Sequence, residues 1–503
     1  MDESKIIDVY NKGITEVISL VKNMHTNLNG EINGLSCNIT QLNGEISGLN
    51  REILDLKIDN KELTLRLAEL EAKINKNSSN SSKPPSSDGL KKIKNSREKS
   101  NNHTGGQLGH KGRTLEKIEN PDEVIDLRIK ICDCGCDLSN IEGKLQTKQV
   151  IEIPQIKLKV TELQGNEVEC PDCHKIHITK FPTNVTQPVQ YGENLQGLMV
   201  YLTQYQFLPL ARASELIRDL VGHTISEGTL VNVNNRLFKN LEKVENTIKD
   251  QIIASPVVHF DETGVRCSGK TNWLHNASTD KLTHYGVHKK RGMEATIEIG
   301  ILPEFEGTAV HDHWMSYYSF DKCTHAECNA HNIRNLKGAY ENYKHAWAKD
   351  MAGLLIEIKK HVEALKSIGQ NKMSTEEISK YQIEYKRIIA KGKEENPIQI
   401  SEKAGSHAKN DAERLLVRLE KYDIETLSYM YDFAIPFDNN LAERDLRMTK
   451  LRQKISGCFR GEGSPDVFCR IRGYISTCRK NGQNVMESLV KAVKGDPYIP
   501  EGK

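Results

Sequence analysis

The fold of this chain is predicted outward from one stretch, Val257-Val258-His259-Phe260-Asp261-Glu262-Thr263. It opens with β-branched and aromatic residues, is too short for a helix, and predicts a buried strand that ends in two carboxylates. A strand end holds a carboxylate rigidly at the edge of a sheet, where a hard cation can reach it. The alternative for this stretch alone is that Asp261 caps a turn that Gly264 closes.

Two later stretches extend this pattern. Residues 273–279 and 284–288 are strand-like, and the run GTAVHDHW at 307–314 is again short, apolar and terminated by a carboxylate, Asp312. Further on, PFDNNLAERDLR at 436–447 predicts a helix, since Pro, Asp and Asn mark its start. Residues three or four apart on that helix share one face, and they are Asn439, Asn440, Glu443 and Arg447.

Two strand-end aspartates and one helix-borne glutamate give a set of three carboxylates, namely Asp261, Asp312 and Glu443. Such a set is able to hold two divalent metal ions about 3.5 to 4 Å apart, which act on the attacking and leaving oxygens of a phosphoryl transfer. The pattern therefore favours metal-dependent phosphodiester chemistry.

The same motifs, in the same order, resemble the transposases of the insertion sequence 66 family. They are residues 258–263, HDHW at 311–314, CNAH at 328–331 with Arg334, and NNLAERDLR at 439–447 followed by KISG at 454–457. Members of this family are bacterial transposases of the three-carboxylate (DDE) class with a ribonuclease-H-like core. The resemblance extends through nearly the whole chain.

The resemblance implies that Asp261, Asp312 and Glu443 are the catalytic acids and the ligands of two Mg²⁺ or Mn²⁺ ions. Glu262 and Asp445 compete for this assignment, but in a strand or a helix they would point away from their neighbours. The fold prediction is a multidomain chain with an N-terminal coiled coil, a small zinc-binding β module and a helical DNA-binding region. These precede an α/β ribonuclease-H-like catalytic core with an all-helical insertion.

Length and composition agree with this interpretation. A chain of 503 residues with 37% hydrophobic residues is long enough for about three domains with sizeable cores. We expect no membrane association, because no apolar run could cross a bilayer and the first ten residues do not resemble a signal peptide. Twelve cysteines in such a chain are expected to be thiols or metal ligands, which favours the cytoplasm. The resemblance implies a bacterial cell and association with the nucleoid.

Residues 1–76 carry a heptad repeat in which leucine occupies every seventh position, at Leu28, Leu35, Leu42, Leu49, Leu56, Leu63 and Leu70. Four residues after these come Ile32, Ile39, Ile46, Ile53, Asn60, Leu67 and Ile74. Leu at d, Ile at a and a single Asn at one a position are typical of a parallel two-stranded coiled coil, so we predict a dimerisation helix. The alternative is one long helix docked on its own domain.

Residues 77–122 are predicted to be a flexible basic linker. Polar, Pro-containing sequence such as NSSNSSKPPSSDG buries too little apolar surface to remain ordered. Its Lys and Arg side chains are suited to follow a DNA backbone by displacing counterions. We expect a solvated tether in which GGQLGHKGR at 105–113 becomes ordered on DNA.

Two close cysteine pairs indicate a zinc-binding module at 123–184. Four thiolates in two pairs, a hairpin's length apart, suit a tetrahedral structural zinc ion that contributes folding free energy. The two cysteines of the first pair are separated by one residue, whereas zinc ligands usually have two residues between them. Cys136, His174 or His177 is an alternative ligand. The resemblance points to Cys132, Cys134, Cys170 and Cys173, because the family often carries a zinc module here. The alternative is a set of reduced, unliganded cysteines.

Residues 185–254 show helical periodicity. A helix at 209–221, a turn at 222–225 and a helix capped by Ser226 are consistent with a helix-turn-helix. Its second helix carries only Arg236 and Lys239 as obvious phosphate contacts. A DNA-reading pair and a plain helical hairpin packed on the core are both compatible with this pattern.

The catalytic core is predicted at 255–339, with strands near residues 257, 273, 284 and 308, and again at 433–490. A helical insertion at 340–432 separates the second aspartate from the glutamate, with a looser segment at 392–407. A C-terminal tail follows at 491–503.

Cys323, Cys328 and His331 are close together in the sequence. We expect no metal there, because thiolate and imidazole are softer ligands than Mg²⁺ prefers. The resemblance makes Cys328, His331 and Arg334 a characteristic motif that supports the second aspartate.

Positive charge is concentrated after the glutamate. Arg444 and Arg447 flank it on the predicted helix, where cations attract phosphate and offset its charge in the transition state. The predicted DNA-binding residues are Arg444, Arg447, Arg452, Lys454 and Arg460. The alternative is a solvated basic face.

The predicted function is that of a DNA transposase that cleaves transposon ends and joins them to target DNA. Its predicted partners are DNA, a second copy or a higher oligomer through the coiled coil, and accessory proteins of the same element. One alternative is a ribonuclease-H-like nuclease without strand transfer. The other is a catalytically silent, zinc-bearing DNA-binding protein.

Overall fold

A computed structural model describes residues 2–81, 83, 88, 114–396 and 410–502 of the chain. The chain is multidomain and divides into two compact units. The first consists of Met1–Lys91, Arg334–Gly353 and Lys386–Arg418, and the second of Lys92–Ile333, Leu354–Tyr385 and Leu419–Lys503.

The N-terminal heptad repeat forms a long helix. A short helix, α1 (Glu3–Asn11), is followed by Gly13 at a φ of 111° and then by α2 (Ile14–Asn75), which is 62 residues long. The heptad side chains are exposed, with Leu35 at 62% and Leu63 at 66%. The long helix is thus confirmed, and the exposed seam differs from that of a helix docked along its length.

The residues that follow α2 fold back against a later helix of the same unit. Asn80 is 6% exposed, and its side-chain amide donates to the carboxylate of Glu341 over 3.3 Å. The carbonyl of Asn80 leaves no room for a side chain at Gly338. Residues 77–81 are therefore packed, which differs from the predicted linker, and residues 89–113 of that linker lie outside the described residues.

The region with the paired cysteines has little regular structure. Its two strands, β1 (Glu167–Glu169) and β2 (Ile176–Ile178), form an antiparallel hairpin of three residues each. Large apolar side chains around them are exposed, including Leu127 at 86% and Val150 at 89%. The polypeptide described for this region therefore lacks a hydrophobic core of its own.

Four helices and a π-helical turn at Tyr201–Tyr205 precede the sheet. The helices are α3 (Glu193–Val200), α4 (Leu210–Val221), α5 (Glu227–Asn240) and α6 (Glu242–Ile253). The predicted cap is confirmed, since the Ser226 hydroxyl accepts the N–H of Thr229 over 3.1 Å. Leu230, Val233 and Leu237 of α5 are buried in the core, so one face of the predicted recognition helix serves packing.

The second unit contains a mixed sheet of five strands in the order β5-β4-β3-β6-β7. The strands are β3 (Val257–Cys267), β4 (Lys270–Ser278), β5 (Thr283–His288), β6 (Thr308–His311) and β7 (Thr324–Glu327). β3, β4 and β5 are antiparallel neighbours, whereas β3, β6 and β7 run parallel. The four predicted strands are confirmed, and β7 is an additional one. Helix α7 (Met293–Ile299) lies between β5 and β6 in the chain.

The insertion is helical, as predicted. Its helices are α8 (Asn329–Tyr343), α9 (Ala346–Ser367), α10 (Thr375–Glu395), α11 (Asp411–Lys421) and α12 (Asp423–Tyr431). Within the second unit, the Tyr429 hydroxyl donates to the Leu355 carbonyl over 3.1 Å. Residues 392–395 of the predicted loose segment are helical, because α10 continues to Glu395. Residues 397–409 lie outside the described part.

Three helices complete the second unit, namely α13 (Asn440–Ser456), α14 (Ser464–Lys480) and α15 (Val485–Lys494). Helix α14 packs on the sheet core through Ile471, Tyr474 and Ile475. The C-terminal tail is also packed, since the Pro500 carbonyl accepts a hydrogen bond from Gln251 over 2.8 Å. None of the described helices combines the length and apolarity that crossing a membrane requires.

Candidate active site

Asp261 and Asp312 occupy equivalent positions on two adjacent parallel strands. His259 of β3 lies opposite Val310 of β6 at the end of their parallel pairing, and each aspartate follows two residues later. The two acids therefore lie at the same edge of the parallel part of the sheet. β3 itself continues to Cys267 as half of a hairpin with β4, so the prediction that this strand ends at its carboxylates is wrong.

Backbone N–H groups orient both aspartate side chains. The N–H of Glu262 donates to Asp261 Oδ1 over 2.9 Å, and the N–H of Trp314 donates to Asp312 Oδ1 over 3.0 Å. One carboxylate oxygen of each acid is thus fixed by the chain that immediately follows it. Such support preorganises a carboxylate for binding.

Glu443 lies in the first turn of α13, where the helix dipole favours a negative charge. Burial raises the pKa of Asp261 well above its usual range, and the negative charges of Glu262, Asp312 and Glu443 raise it further. The three proposed catalytic acids therefore share one electrostatic environment. In the described part of the chain, their oxygens do not all lie within 4.8 Å of one another, so the acids are neighbours without being in contact as a group.

Glu262, the first competitor of Asp261, is held by a cation on the other side of the strand. Its side chain is 2% exposed and lies 2.6 Å from Arg291 Nη2, with a second bond from Arg291 Nε over 2.7 Å. The Tyr317 hydroxyl also donates to it. Arg291 in turn lies 3.7 Å from the ring centre of Trp314. This carboxylate is paired with Arg291 within the fold, which favours Asp261 over Glu262 as the predicted metal ligand.

Asp445, the competitor of Glu443, is likewise paired. Lys480 Nζ lies 2.8 Å from Asp445 Oδ2, and the Ser278 hydroxyl donates to the same oxygen over 2.7 Å. Lys480 also donates to the carbonyls of Thr279 and Leu282 over 2.8 and 3.0 Å. Asp445 therefore fastens α13 to the sheet, whereas Glu443 is the acid that acts on Asp261.

Asn439 connects the strand of Asp261 to the helix of Glu443. It is 1% exposed and precedes α13 directly. Its side-chain amide donates to the Phe260 carbonyl over 2.7 Å, and its Oδ1 lies 2.8 Å from His259 Nδ1. The sequence placed Asn439 on the glutamate face of the helix, but its contacts with β3 required the folded chain.

Cys328 connects the other two acid-bearing elements. Its backbone N–H donates to the carbonyl of His311, which precedes Asp312, over 2.9 Å. Its buried sulfur accepts the N–H of Asn439 over 3.2 Å. His331, one turn further on, has Nδ1 at 3.7 Å from Glu443 Oε1. The motif therefore contacts the glutamate as well as the strand of the second aspartate.

A buried carboxylate, Glu327, was missed by the sequence analysis. It is 2% exposed, accepts bonds from Tyr318 and Asn332 over 2.8 and 3.0 Å, and contacts His313 Nδ1. Because His313 follows Asp312, this cluster fixes the chain beyond the second aspartate. The signal in the sequence was weak, since THAE of β7 has one apolar residue and no alternating pattern.

Four of the predicted DNA-binding side chains are exposed, namely Arg444, Arg447, Lys454 and Arg460. The fifth, Arg452, lies over the ring of Phe459, with its guanidinium carbon 3.7 Å from the ring centre. Burial lowers the pKa of Arg452 to about 10. Arg452 therefore has a packing role in the core, and the other four provide the positive surface.

The predicted zinc ligands lie in two separate pairs. Hydrogen bonding from Cys136 and Cys132 lowers the pKa of Cys134, and hydrogen bonding from Cys173 and Asp172 lowers that of Cys170. Within the described residues, no three of these cysteines gather their sulfur atoms within 4.8 Å. The zinc site stays a prediction.

The second unit is therefore an α/β structure in which a mixed sheet and one helix bring three carboxylates into one electrostatic environment. Residues 188–465 match the family model described as Transposase IS66 family, and the chain belongs to this family. The matched residues include Asp261, Asp312 and Glu443. A second model, described as Family of unknown function (DUF6444), matches residues 31–116. Comparison with curated proteins gives no match.

Proposed function

We propose that the chain is the DNA transposase of an insertion sequence, which cleaves transposon ends and joins them to target DNA. Family membership supports a role in transposition. The observation that carries the mechanism is the raised pKa of Asp261, which has burial as its first cause and the charges of Glu262, Asp312 and Glu443 as its next causes. The charges of these acids act on Asp261, which supports a shared site for bound cations.

A ribonuclease-H-like core is part of this proposal. The strand order β5-β4-β3-β6-β7 supports it, with three antiparallel strands followed by two parallel ones. The position of the acids supports it as well, since Asp261 and Asp312 each follow, by two residues, the last pair of the parallel ladder between β3 and β6.

The donor set fits Mg²⁺ or Mn²⁺. Asp261, Asp312 and Glu443 offer only carboxylate oxygens, the hard ligands that these ions prefer. Their mutual repulsion, seen in the pKa of Asp261, would be relieved by positive charge. When bound, two such ions would supply Lewis-acid stabilisation and a more acidic water molecule.

In the proposed reaction, water attacks phosphorus at a transposon end and the bond to the 3′ oxygen breaks, which frees a 3′-hydroxyl. That hydroxyl then attacks phosphorus in target DNA, and the displaced target oxygen takes up a proton. Arg444 and Arg447, which are exposed on α13 close to Glu443, are proposed to bind phosphate oxygens. Asn439 and Lys480 keep α13 in place on the sheet, so these residues act as positioning residues.

The remaining regions are proposed to organise DNA and partners. The exposed seam of α2 supports parallel pairing with a second copy, because unpaired leucines at d positions would otherwise face water. The cysteine module is proposed to bind a structural zinc ion through Cys132, Cys134, Cys170 and Cys173. We also propose that the protein acts on the bacterial nucleoid in the cytoplasm, with accessory proteins of its element.

The test is a cleavage and strand-transfer assay on DNA carrying the ends of the element, with Mg²⁺ present. Asp261→Asn, Asp312→Asn and Glu443→Gln are each expected to lower both steps by roughly a thousandfold or more, a scale typical of lost transition-state electrostatics. Binding to transposon ends should remain. Glu304→Gln is the matched control, because Glu304 is an exposed acid paired with Lys322.

Joining by the Asp261→Asn variant would contradict the assignment. Wild-type cleavage without any joining would instead indicate a nuclease of the same fold. DNA binding that does not depend on Mg²⁺, with no product from wild type or any variant, would indicate a catalytically silent protein.

A further inference from the structure

Three side chains of different chemistry meet beside the proposed catalytic glutamate. The ligand atoms of Cys328, His331 and Glu443 all lie within 4.8 Å of one another, and His331 Nδ1 is 3.7 Å from Glu443 Oε1. Among the residues that the structure describes, these three side chains form a group whose possible metal-binding atoms lie this close together. The cysteine and the histidine are close together in the sequence, whereas the glutamate lies more than a hundred residues further on.

We propose that Cys328, His331 and Glu443 form a binding site for a soft divalent cation of the Zn²⁺ class, and that its occupancy inhibits DNA cleavage by engaging Glu443. The binding stands on the geometry of this cluster alone. The inhibition rests on the proposed function, in which Glu443 is a Mg²⁺ ligand.

The donor set selects the cation. Sulfur, imidazole nitrogen and one carboxylate oxygen are ligands of zinc, which takes four ligands in tetrahedral geometry. Three protein ligands leave the fourth position for water. The softness that led us to expect no Mg²⁺ at Cys328 and His331 is the property that favours Zn²⁺.

The backbone presents the first two ligands together. Cys328 precedes α8 and His331 lies in its first turn, where the N–H of His331 donates to the Cys328 carbonyl over 3.0 Å. Cys328 and His331 therefore lie in one tight turn with C-x-x-H spacing. Zinc-binding turns likewise have ligands a few residues apart. The third ligand comes from α13, which Asn439 fixes at its first turn.

The surroundings of the sulfur suit a metal-bound thiolate. The backbone N–H of Asn439 points at Cys328 Sγ over 3.2 Å, and such N–H groups stabilise negative charge on sulfur. The thiol proton would be displaced to water as the sulfur–metal bond forms.

The first experiment measures binding in the absence of DNA. The full chain is stripped with a chelator and titrated with Co²⁺, a spectroscopic probe for zinc sites. Cys328→Ser is expected to bind one equivalent fewer than wild type and to lose part of the thiolate-to-cobalt charge-transfer band. Cys323→Ser is the matched control, since Cys323 is a buried thiol that bonds to the Phe320 carbonyl over 3.5 Å outside the cluster.

Two further variants cover the case in which Cys328→Ser fails to fold. His331→Asn and Glu443→Gln retain the thiol and are each expected to weaken Co²⁺ binding at this site by roughly tenfold or more. Wild-type stoichiometry and spectrum in all three variants would overturn the proposed site. Loss of Co²⁺ binding in the Cys323→Ser control as well would also overturn the proposed site, because the bound metal would then lie elsewhere.

The second experiment measures inhibition. At fixed Mg²⁺, Zn²⁺ sufficient to fill the site is expected to reduce cleavage by wild type and by Cys323→Ser at least tenfold. Extra Mg²⁺ should raise the Zn²⁺ concentration needed for that effect. Undiminished cleavage with the site filled would overturn the inhibition. If wild type cleaves no DNA in Mg²⁺ alone, the proposed function fails, and the Co²⁺ titration still decides the site.

Discussion

The carboxylate edge of the sheet and the cysteine module are both proposed metal sites, yet the chain prepares them differently. Around the acids, Val258 and Val310 are fully buried, and the neighbouring carboxylates Glu262 and Asp445 each have a cation within 2.8 Å. In the module, the strands are three residues long and large apolar side chains are exposed.

This difference separates two uses of metal. The polypeptide alone fixes the acids, so a bound cation there serves chemistry and its removal should leave the fold intact. The module brings few contacts of its own, so a metal there would supply folding free energy. Four predictions test this contrast, from the largest expected effect to the smallest.

The largest effect is expected from removing zinc. A structural zinc ion contributes an apparent free energy of about 10 to 16 kcal/mol, so chelation should expose the module at 123–184. Limited proteolysis is expected to cut this region at least about tenfold faster, while the sheet remains protected. Cys170→Ser should behave like chelated wild type, and Cys458→Ser, outside the module, should not. Equal protection with and without the chelator would remove the contrast.

The second-largest effect is expected from the ion pair between Lys480 and Asp445. Lys480→Met leaves Asp445 as a buried charge without its cation, which costs about 3 to 5 kcal/mol. Denaturant unfolding of the variant should therefore show a free energy of unfolding lower by that amount. Lys491→Met, on an exposed part of α15, is the control and should change little. An unaltered unfolding midpoint would mean that the fold does not depend on this pair.

The third effect concerns Asn439. Replacement by alanine removes the bonds that Asn439 makes to the Phe260 carbonyl and to His259 Nδ1, which is expected to lower the free energy of unfolding by about 2 to 3 kcal/mol. Apparent Mg²⁺ affinity in the cleavage assay should also fall, because Glu443 loses its fixed distance from Asp261. Asn440→Ala, at the adjacent exposed position, tests whether the effect is specific. Equal behaviour of the two variants would contradict the role of Asn439.

The smallest effect is a gain in stability. Because the folded-state pKa of Asp261 lies above its ordinary value of 3.8, ionisation of Asp261 opposes folding. This destabilisation is absent below pH 3.8 and grows as the pH rises through the folded-state pKa. Without metal, Asp261→Asn should therefore be more stable than wild type by about 1 kcal/mol or more at pH 7, and the gain should shrink as the pH falls.

Thermal unfolding at several pH values, with and without Mg²⁺, checks this prediction. Mg²⁺ should stabilise wild type and leave Asp261→Asn nearly unchanged. A variant that is less stable than wild type at pH 7 without metal would show that Asp261 is not in a repulsive environment.

Local patterns predicted much of the fold. The strands that begin near residues 257, 273, 284 and 308 are rich in β-branched and aromatic residues, and each is present. Ser226 was identified as a cap because a hydroxyl before a helical run satisfies free N–H groups, and it forms that bond. β7 was missed, because a four-residue strand gains its stability from pairing with β6, which no local pattern reveals.

The sequence indicated candidate acids for the site but not the contacts that hold them. Acids after strand-like runs indicated Asp261 and Asp312, and the helix pattern indicated Glu443. The cation that each competing acid contacts lies far away in the sequence, as with Glu262 and Arg291, so pairing could not be inferred. Likewise, Asn439 bonds to Phe260 across 179 positions, a contact that depends on the folded chain.

Helix α13 is attached to β3 at both ends. Asn439 bonds to Phe260 before the helix begins, and after it ends the N–H of Phe459 donates to the Arg266 carbonyl over 2.9 Å. The last acid is therefore attached to the strand of the first one by bonds that do not involve the inserted helices α9 to α12. Natural variants with a longer, shorter or exchanged segment at 340–432 should keep the separation of these two acids, which leaves that segment open to evolutionary change.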